Sequence, residues 1–291
     1  MTTEILNPEI LAGQDAALHR LRADNTGVLG RIGSLETRLA RSTSEIEAAQ
    51  AIRYKVFVEE MHAQVTPESM RNKREMDAWD AICDHLLVLD TSIEGDTEDQ
   101  IVGTYRLLRQ DVAMANGGFY SSSEFQVADL VARHPDKRFM ELGRSCVLAP
   151  YRTKRTVELL WQGNWAYALK HRIDVMFGCG SLSGVVPEEH ALALSFLHHA
   201  ATARGRWQVS ALPELYHSMD LMPEEAINTR KALAALPPLI KGYLRLGAMI
   251  GEGAVVDRAF RTTDVLVILP INTISERYRN YYGNDAGRFA A

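Results

Sequence analysis

An apolar stretch near the middle of the chain contains two ionisable residues, and it constrains the fold most strongly. Residues 139–148 read FMELGRSCVL, a run apolar enough for a buried strand except at Glu141 and Arg144. Burying a charged side chain is costly unless it is paired or hydrogen-bonded. These two residues therefore indicate either a site in a cleft or a structural ion pair. In a regular strand they face opposite sides, so a shared site requires a bulge between them.

Other segments have the periodicity of strands and helices. Further strands are predicted over residues 34–40, 82–89, 101–108, 174–179, 255–260 and 265–269. Ser44 and Glu47 have the spacing of a capping box, which predicts a helix through about Met61. Further helices are predicted over residues 123–134, 156–171, 190–200, 223–235 and 238–248. Residues 62–80 are polar and contain Pro67, so they predict a loop.

Composition and charge exclude several classes of protein. The chain has 46% apolar and 24% charged residues, which suits a globular protein with a full hydrophobic core. There are 32 basic and 37 acidic residues, giving a net charge of −5, so nucleic-acid binding is not expected. Three widely spaced cysteines argue against a disulfide framework and a structural zinc site.

The sequence also gives expectations for localisation and domain organisation. The chain shows neither a secretory signal nor an apolar run long enough to span a bilayer. We therefore expect a cytoplasmic protein with at most peripheral contact on the inner face of the membrane. Residues 1–30 are predicted to be an N-terminal extension, and residues 31–291 a single domain with additional C-terminal elements.

Three more segments carry candidate functional residues. Arg53 and Phe57 lie on the first predicted helix, where a solvated arginine is the alternative. Residues 75–84 contain four carboxylates, which would neutralise a cationic amine or simply be solvated. Residues 152–155, RTKR, precede a strong predicted helix. They either dock an anion through positive charge and free backbone N–H groups or form a solvated basic turn.

Taken in order, these segments resemble one family. The patterns are R-x-x-x-F at Arg53, E-x-D-x-x-D at Glu75, G-T-Y-R-L at Gly103 and E-L-G-R-S at Glu141. This order is similar to that of acyl-carrier-protein-dependent N-acyltransferases built on the GNAT fold, including acyl-homoserine lactone synthases. Residues 83–88, 102–109, 141–154 and 236–248 specifically resemble the L-ornithine N(alpha)-acyltransferases.

The resemblance implies a fold and a reaction. The fold is α/β, with a mixed, mostly antiparallel sheet flanked by helices. The reaction transfers a 3-hydroxyacyl chain from acyl carrier protein to the α-amine of L-ornithine, giving lyso-ornithine lipid in the first step of ornithine lipid biosynthesis. No metal or bound cofactor is implied, because the 4′-phosphopantetheine arrives on the carrier protein. The alternatives are another amine acceptor and a non-catalytic carrier-protein-binding module.

The resemblance and the charge pattern together assign roles to residues. Glu141 is the candidate general base, and Arg144 is grouped with it as catalytic. The candidate substrate-binding residues are Arg53, Phe57, Asp77, Asp80, Asp84 and Arg106. The candidate residues for binding the carrier protein and phosphopantetheine are Val147, Leu148, Arg152, Lys154 and Arg155. Backbone N–H groups near Val147 and Leu148 are expected to hold the oxyanion, and the aspartates to hold the cationic ornithine side chain.

The basic turn departs from the usual GNAT pattern. A GNAT pyrophosphate loop contains small residues, whereas residues 152–157 read RTKRTV. The turn therefore suits the single phosphate and acidic surface of a carrier protein better than coenzyme A.

Two further alternatives concern mechanism and membrane contact. Cys146 lies close to Arg144, but no histidine is near it in sequence, so direct attack by the amine is favoured over an acyl-cysteine intermediate. The N-terminal extension and residues 238–248 are amphipathic candidates for weak membrane contact; for residues 238–248 the alternative is a core helix with snorkelling cations.

Overall fold

The computed structural model describes residues 27–274, in which strands and helices follow one another in short segments. The strands are β1 (Gly30–Ile32), β2 (Leu35–Leu39), β3 (Asp84–Asp90), β4 (Ile101–Arg109), β5 (Phe139–Val147), β6 (Val175–Ser183), β7 (Met249–Ile250), β8 (Val255–Asp257) and β9 (Thr262–Pro270). The α-helices are α1 (Thr43–Arg53), α2 (Pro67–Asn72), α3 (Thr97–Gln100), α4 (Gln110–Ala115), α5 (Val127–Ala132), α6 (Lys154–Lys170), α7 (Ala191–Ala201), α8 (Thr229–Ala235) and α9 (Pro238–Arg245). Residues 1–26, most of the predicted N-terminal extension, lie outside the described part.

The described residues form two compact units. The first unit comprises residues 27–113 and Leu142–Arg172, and the second comprises Met114–Glu141 and residues 173–274. The division falls inside β5, between Glu141 and Leu142.

The first unit is an antiparallel sheet with a helix on each face. Strands β1 to β4 pair consecutively and antiparallel. Alternate residues of β3 point to opposite faces of the sheet. Leu87 and Leu89 pack with residues of α1, whereas Leu86 lies against Gly163 of α6. The sheet therefore has an α1 face and an α6 face, and each side chain of β3 belongs to one of them.

The second unit contains a mixed sheet. The first three residues of β5 pair in parallel with β6, and β6 pairs antiparallel with β9. Strands β7 and β8 also pair antiparallel with β9. This parallel pair beside antiparallel ones confirms the expected mixed, mostly antiparallel α/β fold.

The first helix differs from its prediction at both ends. Its N-cap is Ser42, whose hydroxyl accepts a hydrogen bond from the backbone of Glu45, and not Ser44 as the capping-box spacing suggested. After Arg53 the chain continues as a π-helix over Tyr54–Glu60, so α1 and this segment together reach the predicted end. A π-helix is rare and often marks a functional segment.

Three other predictions were wrong in part. Residues 62–80 are not simply a loop, because they contain α2 and the start of a 3₁₀ turn at Ala78–Ala81. The helix predicted from residue 223 begins only at Thr229, because Asn228 is extended and caps it. Strand β8 ends at Asp257, whose carboxylate accepts from two backbone N–H groups of the following turn.

The predicted amphipathic segment 238–248 contains α9, whose apolar face is packed inside the second unit. Ile240, Tyr243 and Leu246 are buried, so the core-helix interpretation is confirmed for these residues. Within residues 27–274, no helix combines the length and the apolar character needed to cross a membrane.

Candidate functional site

A fully buried guanidinium forms the centre of an ion cluster in the first unit. Arg53, at the end of α1, is 1% exposed. Its Nε donates to Glu75 Oε2 at 2.6 Å, and its Nη1 donates to Asp80 Oδ1 at 2.6 Å. Its Nη2 donates to Asp80 Oδ2 at 2.9 Å and to the Glu75 carbonyl. Such bidentate, charge-assisted bonds make burial of this charge tolerable.

The carboxylate of Asp80 joins Arg53 to strand β4. Its Oδ1 also accepts from Arg106 Nη1 at 3.2 Å, and its Oδ2 accepts from Gln50 Nε2 at 3.0 Å. Burial alone would raise the pKa of Asp80, but the charge and hydrogen bonds of Arg53, with Arg106, hold that pKa well below its usual range. Asp80 is therefore ionised and accepts hydrogen bonds on both oxygens.

Asp77 and Asp80 are set by a local motif. They form a capping box on the 3₁₀ turn: Asp77 Oδ1 accepts from the Trp79 N–H at 2.9 Å, and the Asp77 N–H donates to Asp80 Oδ2 at 3.2 Å. Asp77 Oδ1 also accepts from Arg106 Nη1 at 2.6 Å. The D-x-x-D spacing thus has a structural reason, because it fixes both carboxylates toward the arginines.

Arg144 and Glu75 complete the cluster. Arg144 Nε donates to Glu75 Oε1, and Arg144 Nη2 donates to Asp77 Oδ2, both at 3.3 Å. Arg144 has a φ of 51°, which interrupts the extended backbone of β5. In the sequence, Glu75 is one of four carboxylates in residues 75–84 but is not among the named substrate-binding residues. In the structure it bridges Arg53 and Arg144.

The cluster balances its own charge. It contains three arginines and three carboxylates, namely Arg53, Arg106, Arg144, Glu75, Asp77 and Asp80. Only two of these side chains keep appreciable exposure: Asp77 at 24% and Arg144 at 13%. These two therefore present the polar edge of the cluster.

Asp84 does not join this cluster. It is on the α6 face of β3, where it accepts from the Tyr167 hydroxyl and lies 3.7 Å from Arg109 Nη1. The next residue, His85, points to the α1 face, and its Nε2 lies 3.0 Å from the Asp80 carbonyl oxygen. The structure therefore does not bring Asp84 together with Asp77 and Asp80, the three aspartates expected to hold the cationic side chain. Asp84 faces α6, whereas His85, the next residue of β3, faces Asp80.

An apolar group on the α1 face brings together Phe57, Leu148 and Cys146. Phe57, in the π-helix, and Leu148 are half-buried against the core cluster that contains Cys146. The Leu148 N–H donates to the Val102 carbonyl at 2.9 Å. Contrary to the prediction, this N–H is engaged by the sheet and is not free to hold an oxyanion.

The basic turn separates into one paired and two exposed cations. Arg152 Nε donates to the Val147 carbonyl at 2.9 Å, and its Nη2 pairs with Glu60. Lys154 and Arg155 are exposed in the first turn of α6, which contains no acidic residue. Within residues 27–274, neither Lys154 nor Arg155 forms an ion pair.

Glu141 is buried in the second unit and is held by backbone donors. It is 4% exposed, and its oxygens accept from the N–H groups of Tyr120 at 2.7 Å and Ser121 at 2.8 Å. Both donors lie in the 3₁₀ turn Tyr120–Ser123. They orient the carboxylate.

Residues that the sequence reasoning missed lie near Glu141. Glu141 pairs in register with Phe177 of β6, so its side chain is on the same face as that of Cys179, two residues further on. Cys179 Sγ lies 3.3 Å from Glu124 Oε2, and Asp264 is close by. Burial, then Glu124, Asp264 and Glu141, raise the pKa of Cys179 well above its usual value. No local motif signalled this group, because its members come from separate segments.

Comparisons with known proteins agree with the sequence patterns. Residues 52–162 match the acetyltransferase (GNAT) domain family. The chain is 72% identical over 293 residues to an L-ornithine N(alpha)-acyltransferase of Rhizobium meliloti, covering 100% of this chain and 99% of that protein. It is 68% identical over 290 residues to an L-ornithine N(alpha)-acyltransferase of Agrobacterium fabrum, covering 99% of each. Among solved structures, a CoA-dependent acyl-homoserine lactone synthase is 14% identical with a TM-score of 0.45, covering 84% of this chain and 82% of that one.

The matched domain, together with full-length relatives named as acyltransferases at 72% and 68% identity, makes this protein an acyltransferase of the GNAT class. Identity of 72% over the full length places it more narrowly: the chain belongs to the L-ornithine N(alpha)-acyltransferase family. The resemblance inferred from four ordered motifs is thereby confirmed.

Asp80→Asn should destabilise the first unit, because it removes one carboxylate from between Arg53 and Arg106. Breaking a buried ion pair costs about 3–5 kcal/mol, and urea unfolding measures it. The pKa of Asp80 in the folded state is depressed below the unfolded value of about 3.9. The ionised carboxylate therefore makes its full contribution to the free energy of unfolding above about pH 4, and this contribution is lost as the pH falls further. The difference between wild type and Asp80→Asn should therefore narrow below that pH. Asp111→Asn is the control, because Asp111 is 74% exposed and should change stability little.

Cys146→Ala should retain most of the activity. Burial raises the pKa of the Cys146 thiol to about 12, so it is not a thiolate at neutral pH and is a poor nucleophile. Cys146→Ser should also be active at temperatures where it is folded, with a stability loss from burying a hydroxyl in an apolar cluster. Mass spectrometry of enzyme incubated with acyl donor alone measures acylation. An acyl group on Cys146, with a folded but inactive Cys146→Ala, would establish a covalent mechanism instead.

Proposed function

We propose that this protein transfers a 3-hydroxyacyl chain from acyl carrier protein to the α-amine of L-ornithine, producing lyso-ornithine lipid. The observation that carries the proposal is the 72% identity, over 100% of the chain, to a protein named for the ornithine reaction. Acyl carrier protein is proposed as the donor because the motifs resemble those of carrier-protein-dependent N-acyltransferases, and the basic turn suits such a donor. The donor delivers 4′-phosphopantetheine, and the proposal includes no resident cofactor or metal.

Glu141 supplies the general base in this proposal. The α-amine has a pKa of about 8 and is mostly ammonium at neutral pH, so a base must remove a proton before attack on the thioester. Two backbone N–H groups fix the Glu141 carboxylate in orientation. Glu141 accepts one ammonium proton directly or through water, and the amine nitrogen bonds to the acyl carbon. The carbon–sulfur bond then breaks, and the second proton lost by the nitrogen passes to the departing sulfur, so the carrier leaves as a free thiol.

The ion cluster positions the polar groups that meet substrate. Arg53 and Asp80 are 1% and 3% exposed and bond to one another, which favours a positioning role over direct contact. Asp77 and Arg144 are more exposed, and we assign substrate contact to them: Asp77 to an ammonium and Arg144 to a carboxylate or carbonyl.

The exposed cations at the start of α6 suit an acidic carrier protein. Lys154 and Arg155 extend from the first turn, where the helix dipole also favours negative charge. Arg152 contributes less, since it is paired with Glu60. Long-range attraction of this kind acts mainly on the rate of association.

The product also implies a location. An acyl tail joined to a zwitterionic amino-acid head is an amphiphile that must enter a bilayer. We therefore place the enzyme in the cytoplasm, in peripheral contact with the inner face of the membrane.

The decisive experiment measures carrier-protein thiol released from 3-hydroxyacyl carrier protein in the presence of ornithine, with the product mass determined. Lysine, glutamine and homoserine derivatives serve as competing acceptors. Thiol release that depends on ornithine supports the proposal. Faster thiol release with another amine contradicts it, and so does the absence of thiol release with every amine tested.

Glu141→Gln should lose about 10²–10⁴-fold in kcat, because loss of a general base typically has this effect. The amide nitrogen of Gln cannot accept from a backbone N–H, so one of the bonds to Tyr120 and Ser121 is lost and stability falls by about 1–3 kcal/mol. Assays should therefore be run well below the melting temperature, with circular dichroism confirming the fold. A kcat above half the wild-type value would remove Glu141 from the catalytic role.

Reversing the charge at Lys154 and Arg155 should mainly slow association with the carrier protein. We expect kcat/KM with acyl carrier protein to fall at low salt and to depend less steeply on salt than in the wild type. Reversal of two other exposed cations, Arg204 and Arg258, is the matched control and should have a smaller effect. Short acyl-pantetheine donors should be little affected, and equal damage with both donors would show a phosphate-binding or structural role instead.

A further inference from the structure

The second unit carries a cationic surface on α8 and α9, defined by Arg230, Lys231, Lys241 and Arg245. Residues 228–251 contain these four basic residues and no Asp or Glu, in a chain whose net charge is −5. The nearest acidic residues along the chain are Glu225 and Glu252. The segment is thus opposite in charge to the protein as a whole.

The cations point outward because the apolar residues of both helices point inward. Ala232 on α8 and Leu236, which caps this helix, are buried, as Ile240 and Tyr243 are on α9. Arg230, Lys231 and Arg245 are exposed, and Lys241 is half-buried. None of these four cations has an ion-pair partner among the residues that the structure describes.

Lys241 links the two helices into one surface. Its ammonium group donates to the Ala234 carbonyl at 3.4 Å, in the last turn of α8, where a positive charge is favourable. Ala234 lies four residues after Arg230, so both are on one side of α8, together with Leu233. Arg245 lies four residues after Lys241 on α9. Leu233 is 38% exposed and adds an apolar side chain among the cations.

We propose that this α8–α9 surface binds the face of an anionic lipid bilayer. The proposal rests on the proposed function, because an enzyme whose product is an amphiphile must pass it to a membrane. Inward-facing Ile240 and Tyr243 exclude insertion of α9 as an amphipathic helix, so binding is electrostatic, with Leu233 reaching the interface. Each cation near an anionic membrane contributes about fivefold to binding, so four give weak, salt-sensitive attachment.

The test is sedimentation of the full chain with vesicles of phosphatidylcholine, with and without phosphatidylglycerol. Wild type should bind only the anionic vesicles and be released by high salt. Arg230→Gln with Lys231→Gln should weaken binding about 30-fold. The control is Arg204→Gln with Arg258→Gln, which makes the same change of charge at exposed positions elsewhere in the second unit. This control should leave vesicle binding unchanged. Leu233→Ala should weaken vesicle binding less than the Arg230→Gln, Lys231→Gln double variant does.

Several outcomes would overturn the proposal. Equal weakening by both double variants would show a general charge effect, and no vesicle binding at low salt would exclude the membrane contact. If Arg230→Gln with Lys231→Gln raises KM for the acyl carrier protein and leaves vesicle binding unchanged, the surface docks the carrier protein instead. Vesicle sedimentation needs no substrate, and ornithine-dependent thiol release in lipid-free solution reports the acyltransferase activity separately.

Discussion

The buried charge of Arg53 is the constraint on which the first unit depends. A guanidinium that is 1% exposed must find acceptors within the protein, and the segment between α1 and β3 supplies them through Glu75 and Asp80. The Glu75 N–H donates to the Gln50 carbonyl, and the Gln50 side chain donates to Asp80, which holds this segment against α1. Arg53 and Asp80 are 27 residues apart, so their pairing constrains the path of the chain between them.

A buried cluster of three arginines and three carboxylates is not an efficient way to stabilise a fold. Replacing buried ion pairs by apolar residues is often neutral or stabilising. What such a cluster provides is orientation, because each planar guanidinium aligns two carboxylates. Here the saturated inner members position Asp77 and Arg144, the two members with appreciable exposure. Burying the inner charges costs free energy, and in return their hydrogen bonds hold Asp77 and Arg144 in a defined geometry.

The second unit separates charge between two of its regions. Glu141, Glu124 and Asp264 are grouped around Cys179 next to the parallel pair of strands. The cations of α8 and α9 occupy an exposed helical surface without carboxylates. The net charge of −5 does not reveal this separation of acidic and basic regions. The acidic region contains the proposed general base, and the basic region is the proposed membrane-binding surface.

The α/β class, most of the longer strands and helices, and the family could be predicted from the sequence, because hydrophobic periodicity and motif order can be read along the chain. The family resemblance pointed to Arg53, Asp77, Asp80, Arg106 and Arg144. For Arg144, its charge within an apolar segment also indicated that it must be paired. Which ion-pair partners these charged residues have depends on the tertiary structure. The register of β3 places Asp84 on the face opposite Asp80, and packing on β4 engages the Leu148 N–H. Packing also turns the apolar side of α9 inward. Such outcomes depend on contacts between residues far apart in the chain, which local patterns do not contain.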